Sequence, residues 1–379
     1  MSPLYVLGRT LVSAAALEQA GSGSIERFVR EARSNPAATL AIGSRTLRAS
    51  DLARPEGVPE FTPVGIGRPL SLEILSAYAG DAPARFGMVG RSDLLITSAL
   101  KAVTTFDAAP RAIHAIVPGV ADHALLTPSA LRPGSPVAFY ARSLVDGTLL
   151  CAFEFAADAL DPKLIEHVAD LLALAGGLPV FAPAASFLLA AGGIVKLGGE
   201  LASVLLRPST YLHADLTLRF ETPGIPADFA RMIVACNPAD EDELTGCELG
   251  MHTGKGSGST PVLKAKDSGE EYRGRAPYMI VSLDGRSRPE LDGFAPTQAS
   301  AALLERFYDP RPAEHVVQVL ADALVLYDDL VFRRKADELA RRMKSLRDHG
   351  SEEYRSAKKL YDAYRAYIRT DAFRPGEAP

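Results

Sequence analysis

Residues 171–195, LLALAGGLPVFAPAASFLLAAGGIV, are 25 consecutive residues without a charge. Since roughly 20 apolar residues suffice to cross a bilayer, a fold for this chain must either bury that tract or give it to a membrane. Its interruptions weigh against a span. Gly176-Gly177, Pro179, Pro183 and Gly192-Gly193 would free backbone groups that lipid cannot satisfy. The stretch just before it, PKLIEHVADLLALAGG, follows Asp161 and places Leu164, Val168, Leu171 and Leu172 at helical spacing. The expectation is a pair of buried helices joined near Leu178-Pro179, and the alternative is a hairpin that inserts into a membrane.

The rest of the chain can supply such a shelter. With 379 residues, 47% of them hydrophobic and 23% charged, it is neither disordered nor collagenous. A net charge of −5 disfavours wholesale nucleic-acid binding. Cys151, Cys236 and Cys247 are odd in number and widely spaced, which is not a disulfide framework, so a cytoplasmic setting is expected. Arg9 breaks the first apolar stretch and no basic region precedes it, which reads against a cleaved signal.

Short β-branched runs between turn residues occupy 86–155: DLLITSAL, AIHAIVPG, PVAFYARSL and GTLLCAFEF. Asp146-Gly147 between the last two reads as a hairpin turn. Strand texture returns at Tyr211, where His213, Asp215, Thr217 and Arg219 alternate with Leu212, Ala214, Leu216 and Leu218. ARMIVAC and PYMIVSLDG follow, with a polar loop expected over 251–268. The pattern predicts an α+β protein with two antiparallel, sandwich-like β-rich regions, an apolar helical insert and a C-terminal helical hairpin. Its segments are 1–84 (mixed), 85–160 (first β-rich region), 161–206 (insert), 207–296 (second β-rich region) and 297–379 (hairpin).

Residues 313–348 contain neither Gly nor Pro, and His349-Gly350-Ser351 ends one helix and caps the next. The apolar stripe of the first runs through Val316, Leu320, Ala323, Tyr327 and Leu330, then Phe332, Ala336, Leu339, Met343 and Leu346. The second carries Leu360, Tyr361, Tyr364 and Ile368 on one side. Between residues 333 and 369 stand twelve basic and six acidic residues, a net +6, which leaves −11 on the remainder because the whole chain carries −5. That asymmetry steers the arm toward an acidic partner, or folds it back on its own body. The residues expected to meet a partner are Arg333, Arg334, Arg341, Arg342, Lys344, Arg347, Lys358 and Lys359. Tyr354, Tyr361, Tyr364 and Tyr367 are expected to pack rather than to stack on bases.

Signatures of catalysis are weak. In GMHTGKGSGST, Gly250 and Gly254 are one residue too close for a P-loop, and Gly256 stands where a hydroxyl should follow Lys255. Cys236, Cys247 and His252 form C-x10-C-x4-H, which matches no compact zinc pattern and offers only three ligands. No G-x-S-x-G is present. No cofactor and no metal is expected. The reading that remains is a non-enzymatic adaptor whose β-rich platform presents a basic helical arm to a protein partner or to a second copy of itself. The alternatives are a protein that inserts 171–195 into an anionic membrane, and a cysteine- or metal-dependent hydrolase built on 236–252.

Overall fold

The computed structural model describes residues 4–43, 45–53, 55–58, 60–83, 91–102, 111–128, 134–158, 166, 169, 180–182, 187–190, 193–196, 210–220, 231–252, 259–291, 314–346 and 348–378. Period-two alternation builds most of it. In the strand Thr210–Arg219, Leu212, Ala214, Leu216 and Leu218 are buried while His213, Asp215 and Arg219 are exposed, as the sequence predicts. Two antiparallel sheets result. The first contains β1 (Leu4–Leu7), β2 (Thr10–Ser13), β5 (Leu70–Tyr78), β8 (Leu125–Leu126), β9 (Val137–Ala141), β15 (Met232–Cys236), β16 (Cys247–His252), β17 (Thr260–Ala265) and β18 (Tyr278–Asp284). Its order is β17-β16-β2-β1-β15-β18-β5-β8, with β9 also paired to β5.

The second sheet contains β6 (Asp93–Ala102), β7 (Arg111–Val117), β10 (Thr148–Asp158), β11 (Val180–Ala182), β12 (Phe187–Ala190), β13 (Gly193–Lys196) and β14 (Thr210–Arg219), in the order β13-β12-β11-β7-β6-β10-β14. A small ribbon of β3 (Thr39–Ile42) and β4 (Arg45–Arg48) lies apart from both. The helices are α1 (Ala14–Ala20), α2 (Ser22–Ala32), α3 (Glu241–Thr245), α4 (Glu314–Ser345) and α5 (Glu352–Tyr367). The protein is therefore α+β, with two large antiparallel sheets and a C-terminal helix pair.

One apolar cluster joins the two sheets. Leu94, Ile96, Phe153, Phe155 and Leu212 from the second meet Leu72, Ile74, Ile233 and Val281 from the first. Each such side chain, fully withdrawn from water, contributes about 1.5–3 kcal/mol. A second cluster, with Leu4, Val6, Leu249, Leu263, Tyr278 and Ile280 from strands of the first sheet, also takes in Val58, Phe61 and, from α3, Leu244.

The sheets are also stitched by polar groups at a bulge. Ile96 pairs with Ala115 and Thr97 with Ile113, so His114 is the extra residue of β7. Its Nδ1 lies 2.8 Å from the Ser135 carbonyl and its Nε2 lies 2.7 Å from Ser98 Oγ. The carbonyl can only accept, so Nδ1 carries a proton; with the ring kept neutral by burial, Nε2 accepts from the Ser98 hydroxyl. Burial pushes its pKa down to about 4. Ser135 N–H donates back to the His114 carbonyl at 2.8 Å, tying β7 to the segment that enters β9.

Three expectations need correction. The runs on either side of Asp146-Gly147 do not form a hairpin: β9 pairs with β5 and β10 with β6 and β14, so the chain crosses there from one sheet to the other. In the 161–206 insert Glu166 and Ala169 are helical, but 180–182, 187–190 and 193–196 pair as the strands β11, β12 and β13. Four-residue apolar runs do not separate helix from strand by periodicity, and the Gly and Pro punctuation between them favours short strands. Within the expected loop 251–268, residues Thr260–Ala265 form β17, whose pairing with β16 runs from Cys247↔Ala265 to His252↔Thr260. The centre of that loop, 253–258, lies outside the described residues.

Candidate functional site: the outward face of the helical hairpin

Ser351 caps α5 with its hydroxyl accepting from Tyr354 N–H at 3.2 Å. The seam between α4 and α5 is apolar: Ala336, Met343, Ala357 and Tyr361 are buried against one another. Phe332 stacks on Tyr367 at 4.8 Å and lies 6.1 Å from Tyr364, and Tyr354 stacks on His349 at 4.5 Å. These tyrosines pack, as expected. Burial raises the Tyr364 and Tyr367 phenols above their ordinary range, so they stay protonated.

Leu330 departs from the expected stripe, while the side chains of Val316, Leu320, Ala323 and Tyr327 lie outside the described residues. Leu330 is 41% exposed and Leu326 is 47% exposed, whereas Asp329 is buried. The Asp329 carboxylate accepts from the backbone N–H of Arg369 at 3.1 Å and of Thr370 at 2.8 Å. It thereby satisfies two donors just past the end of α5, and this rolls the neighbouring leucines to the surface.

The expected contact residues divide into two groups. Arg333 is held by Asp337 at 3.0 Å and by the Phe373 carbonyl at 3.1 Å. Arg342 reaches Glu353 across the hairpin at 2.8 Å, and Lys358 lies 3.7 Å from Asp362. The stem of Lys359 lies against the body, where a Cβ added at Gly67 would come within 2.8 Å of it. These four spend their side chains within the molecule, and Arg347 lies outside the described residues. Arg334, Arg341 and Lys344 are exposed, with no ion-pair partner among the described residues. At 100° per residue they share one side of α4 with Leu326 and Leu330, about 80–180° around the helix from Ala336 and Met343. The two exposed leucines were missed because a 3-4 spacing cannot say which of two adjacent stripes faces the core.

The cysteine–histidine constellation does not assemble. His252 Nδ1 instead meets Glu271 Oε1 at 2.5 Å. Burial first, then Glu241 and Asp240, pushes the Cys236 thiol up to about 12. Burial and Glu243 push Cys247 up to about 11. Thiols held so far up carry almost no nucleophilic thiolate at neutral pH. Among the described residues no group of three or more His, Cys, Asp or Glu side chains is placed to hold a metal ion.

Sequence reasoning also missed an aromatic cluster around Tyr78. Its hydroxyl lies 2.9 Å from His123 Nδ1 and donates to the Gly274 carbonyl at 3.0 Å, while His123 Nε2 is 3.7 Å from Asp81. His252, Glu271, Tyr272 and Tyr278 line the same cavity. That arrangement resembles an acid–base relay, yet burial pushes Tyr78 up to about 12 and the cavity measures only about 70 Å³. At about 30 Å³ per water it has room for two. On the second sheet His213 bridges Glu154 and Asp215, each at 3.0 Å.

No helix among the described residues is long and apolar enough to cross a membrane. Comparison with protein-family models, with curated proteins and with solved structures found no match to this chain.

Proposed function

We propose that this protein is a non-enzymatic interaction module: the double-sheet body holds the hairpin, and the outward face of α4 engages an acidic, amphipathic segment of a partner protein. The observation that carries the reading is the alignment of two exposed leucines with three cations that have no ion-pair partner among the described residues, on one side of one helix. The leucines supply apolar area for an anchor, and Arg334, Arg341 and Lys344 supply orientation and association rate. Native co-purification with mass spectrometry, comparing the wild type with a variant carrying Leu326→Ser, Leu330→Ser, Arg334→Glu, Arg341→Glu and Lys344→Glu, tests it. An acidic partner released by salt and absent from the variant supports the reading. A partner profile and oligomeric state unchanged in the variant would sink it, and loss of a dimer alone would assign the face to a second copy.

A second reading, insertion of 171–195 into an anionic membrane, draws on the placement of β11, β12 and β13 at one edge of the second sheet, beside α4. An edge meander can leave without breaking the ladder between β6, β7 and β10. Leakage from vesicles containing anionic lipid, abolished when a disulfide ties α4 to the sheet, would support this reading; intact vesicles under all conditions would remove it.

A further inference from the structure

Where the β1–β2 hairpin meets α2 and β15, a cavity of about 220 Å³ opens among Leu7 of β1, Val29 of α2, Met232 of β15, Leu52 and Phe61, with Arg231 also on its wall. Apart from Gly8 and Arg231, every described residue that lines it is apolar. Leu7 belongs to the core between the sheets, and Phe61 and Met232 to the second cluster, so the cavity lies at the seam of the two. Protein interiors leave few voids larger than one water. A water would need about two to four polar partners, and apolar side chains offer none. A space of this size between such walls has the character of a site for an apolar group.

Backbone hydrogen bonds hold the walls apart. Arg9 N–H donates to the Asp51 carbonyl at 3.0 Å, which fixes Leu52 against the hairpin turn. Gly8 stands in that turn at φ +62°, and a Cβ there would collide with the same carbonyl, so only glycine lets the two segments approach. Thr62 N–H donates to Asp284 Oδ1 at 2.8 Å and so holds the neighbouring Phe61, while Leu283 N–H donates to the Arg231 carbonyl at 2.9 Å. The Arg231 side chain, by contrast, is exposed and has no ion-pair or hydrogen-bond partner among the described residues. Its planar fork suits a carboxylate. A single guanidinium at the mouth of an apolar space matches a ligand with one negative charge and an apolar tail.

We infer that this cavity binds a single-chain aliphatic carboxylate, its tail among Leu7, Val29, Leu52 and Phe61 and its head gripped by Arg231. At about 30 Å³ per water the space equals about seven waters, and a methylene group takes up nearly the same room, so the tail has roughly seven carbon atoms. The site shares no residue with the outward face of α4 and stands or falls independently of it.

Titration calorimetry and thermal unfolding of the full chain with sodium octanoate, octan-1-ol, octylammonium chloride and sodium acetate test the inference. Octanoate is expected to bind saturably, at least about tenfold more tightly than acetate because its tail leaves water, and to raise the unfolding midpoint beyond the acetate control. Octylammonium, with the same tail and the opposite charge, should bind more weakly than octanoate. Arg231→Gln should weaken octanoate by about tenfold, as expected for loss of a charge-assisted pair, and leave octanol unchanged. Because Arg231 is exposed, that variant keeps the test available if a cavity variant fails to fold. Val29→Phe, which fills the space from α2, should weaken octanoate and octanol alike by about tenfold or more. Arg341→Gln, on the outward face of α4, should alter neither. A midpoint shift no larger than that from acetate, or octanoate binding unaltered by Val29→Phe, would overturn the site. Octylammonium binding as tightly as octanoate, or octanoate binding unaltered by Arg231→Gln, would overturn the carboxylate assignment.

Discussion

The β body and the helical hairpin use polar groups in opposite ways. In the body they turn inward onto fixed partners: His114 is saturated by Ser98 and Ser135, and Ser76 donates to the Pro261 carbonyl at 2.6 Å. On the hairpin the apolar seam is narrow, and cations face solvent along α4. The body is built to hold a shape, whereas the hairpin has surface charge to spare. Each substitution that follows tests whether stability and recognition are divided in this way.

The largest effect belongs to the core between the sheets. Phe153 is fully buried between residues of both, so Phe153→Ala should cost about 3–5 kcal/mol, read as a fall in the urea midpoint with little change in slope. A loss under about 1 kcal/mol would mean that the two sheets do not share one core.

Next comes the stitch at His114. Its folded pKa of about 4 lies below the ordinary 6.5 because burial disfavours the charged ring. The unfolded chain therefore takes up the proton first. Its contribution is fully present above about pH 6.5 and is lost as the pH falls toward 4, reaching about 3 kcal/mol at 1.36 kcal/mol per unit. Urea unfolding between pH 7 and pH 4 should show this decline. His114→Gln, which cannot take the proton, should be less stable at pH 7 and show a shallower acid slope. A slope unchanged by the substitution would place the acid sensitivity elsewhere.

This stitch also shows where sequence reading stops. The alternation of Leu212, Ala214, Leu216 and Leu218 is a property of a strand and is legible residue by residue. The hairpin, too, is announced by its own Gly-free run and by the cap at Ser351. Partner choice between strands is not local. β10 leaves the neighbourhood of β9 to pair with β6 and β14, and nothing at Asp146-Gly147 records that the chain is changing sheets. The same holds for charges. Arg342 and Arg341 are equivalent in sequence, and only the approach of Glu353 from α5 neutralises one of them.

Within the hairpin, where α4 meets the end of α5, Asp329→Ala removes the acceptor for two backbone N–H groups. A cost of about 1.5–3 kcal/mol is expected, as for hydrogen bonds to a charged group. Faster hydrogen exchange should be confined to residues 367–370 and the adjoining turns of α4 and α5, with the core strands β10 and β14 still protected. Equal loss of protection in those strands would show that the hairpin is an integral part of the body's cooperative unit.

The smallest effect on stability, and the largest expected on recognition, lies on the outward face. Arg334→Glu, Arg341→Glu and Lys344→Glu alter exposed side chains that neutralise nothing among the described residues, so each should change stability by no more than about 0.5 kcal/mol. Together they reverse the sign of the field along the face and should abolish association with an acidic partner while leaving the urea midpoint in place. A large fall in stability would mean that these cations already answer the net negative charge of the rest of the chain. The arm would then be occupied by its own body, and the division between a shape-holding core and a recognition arm would not stand.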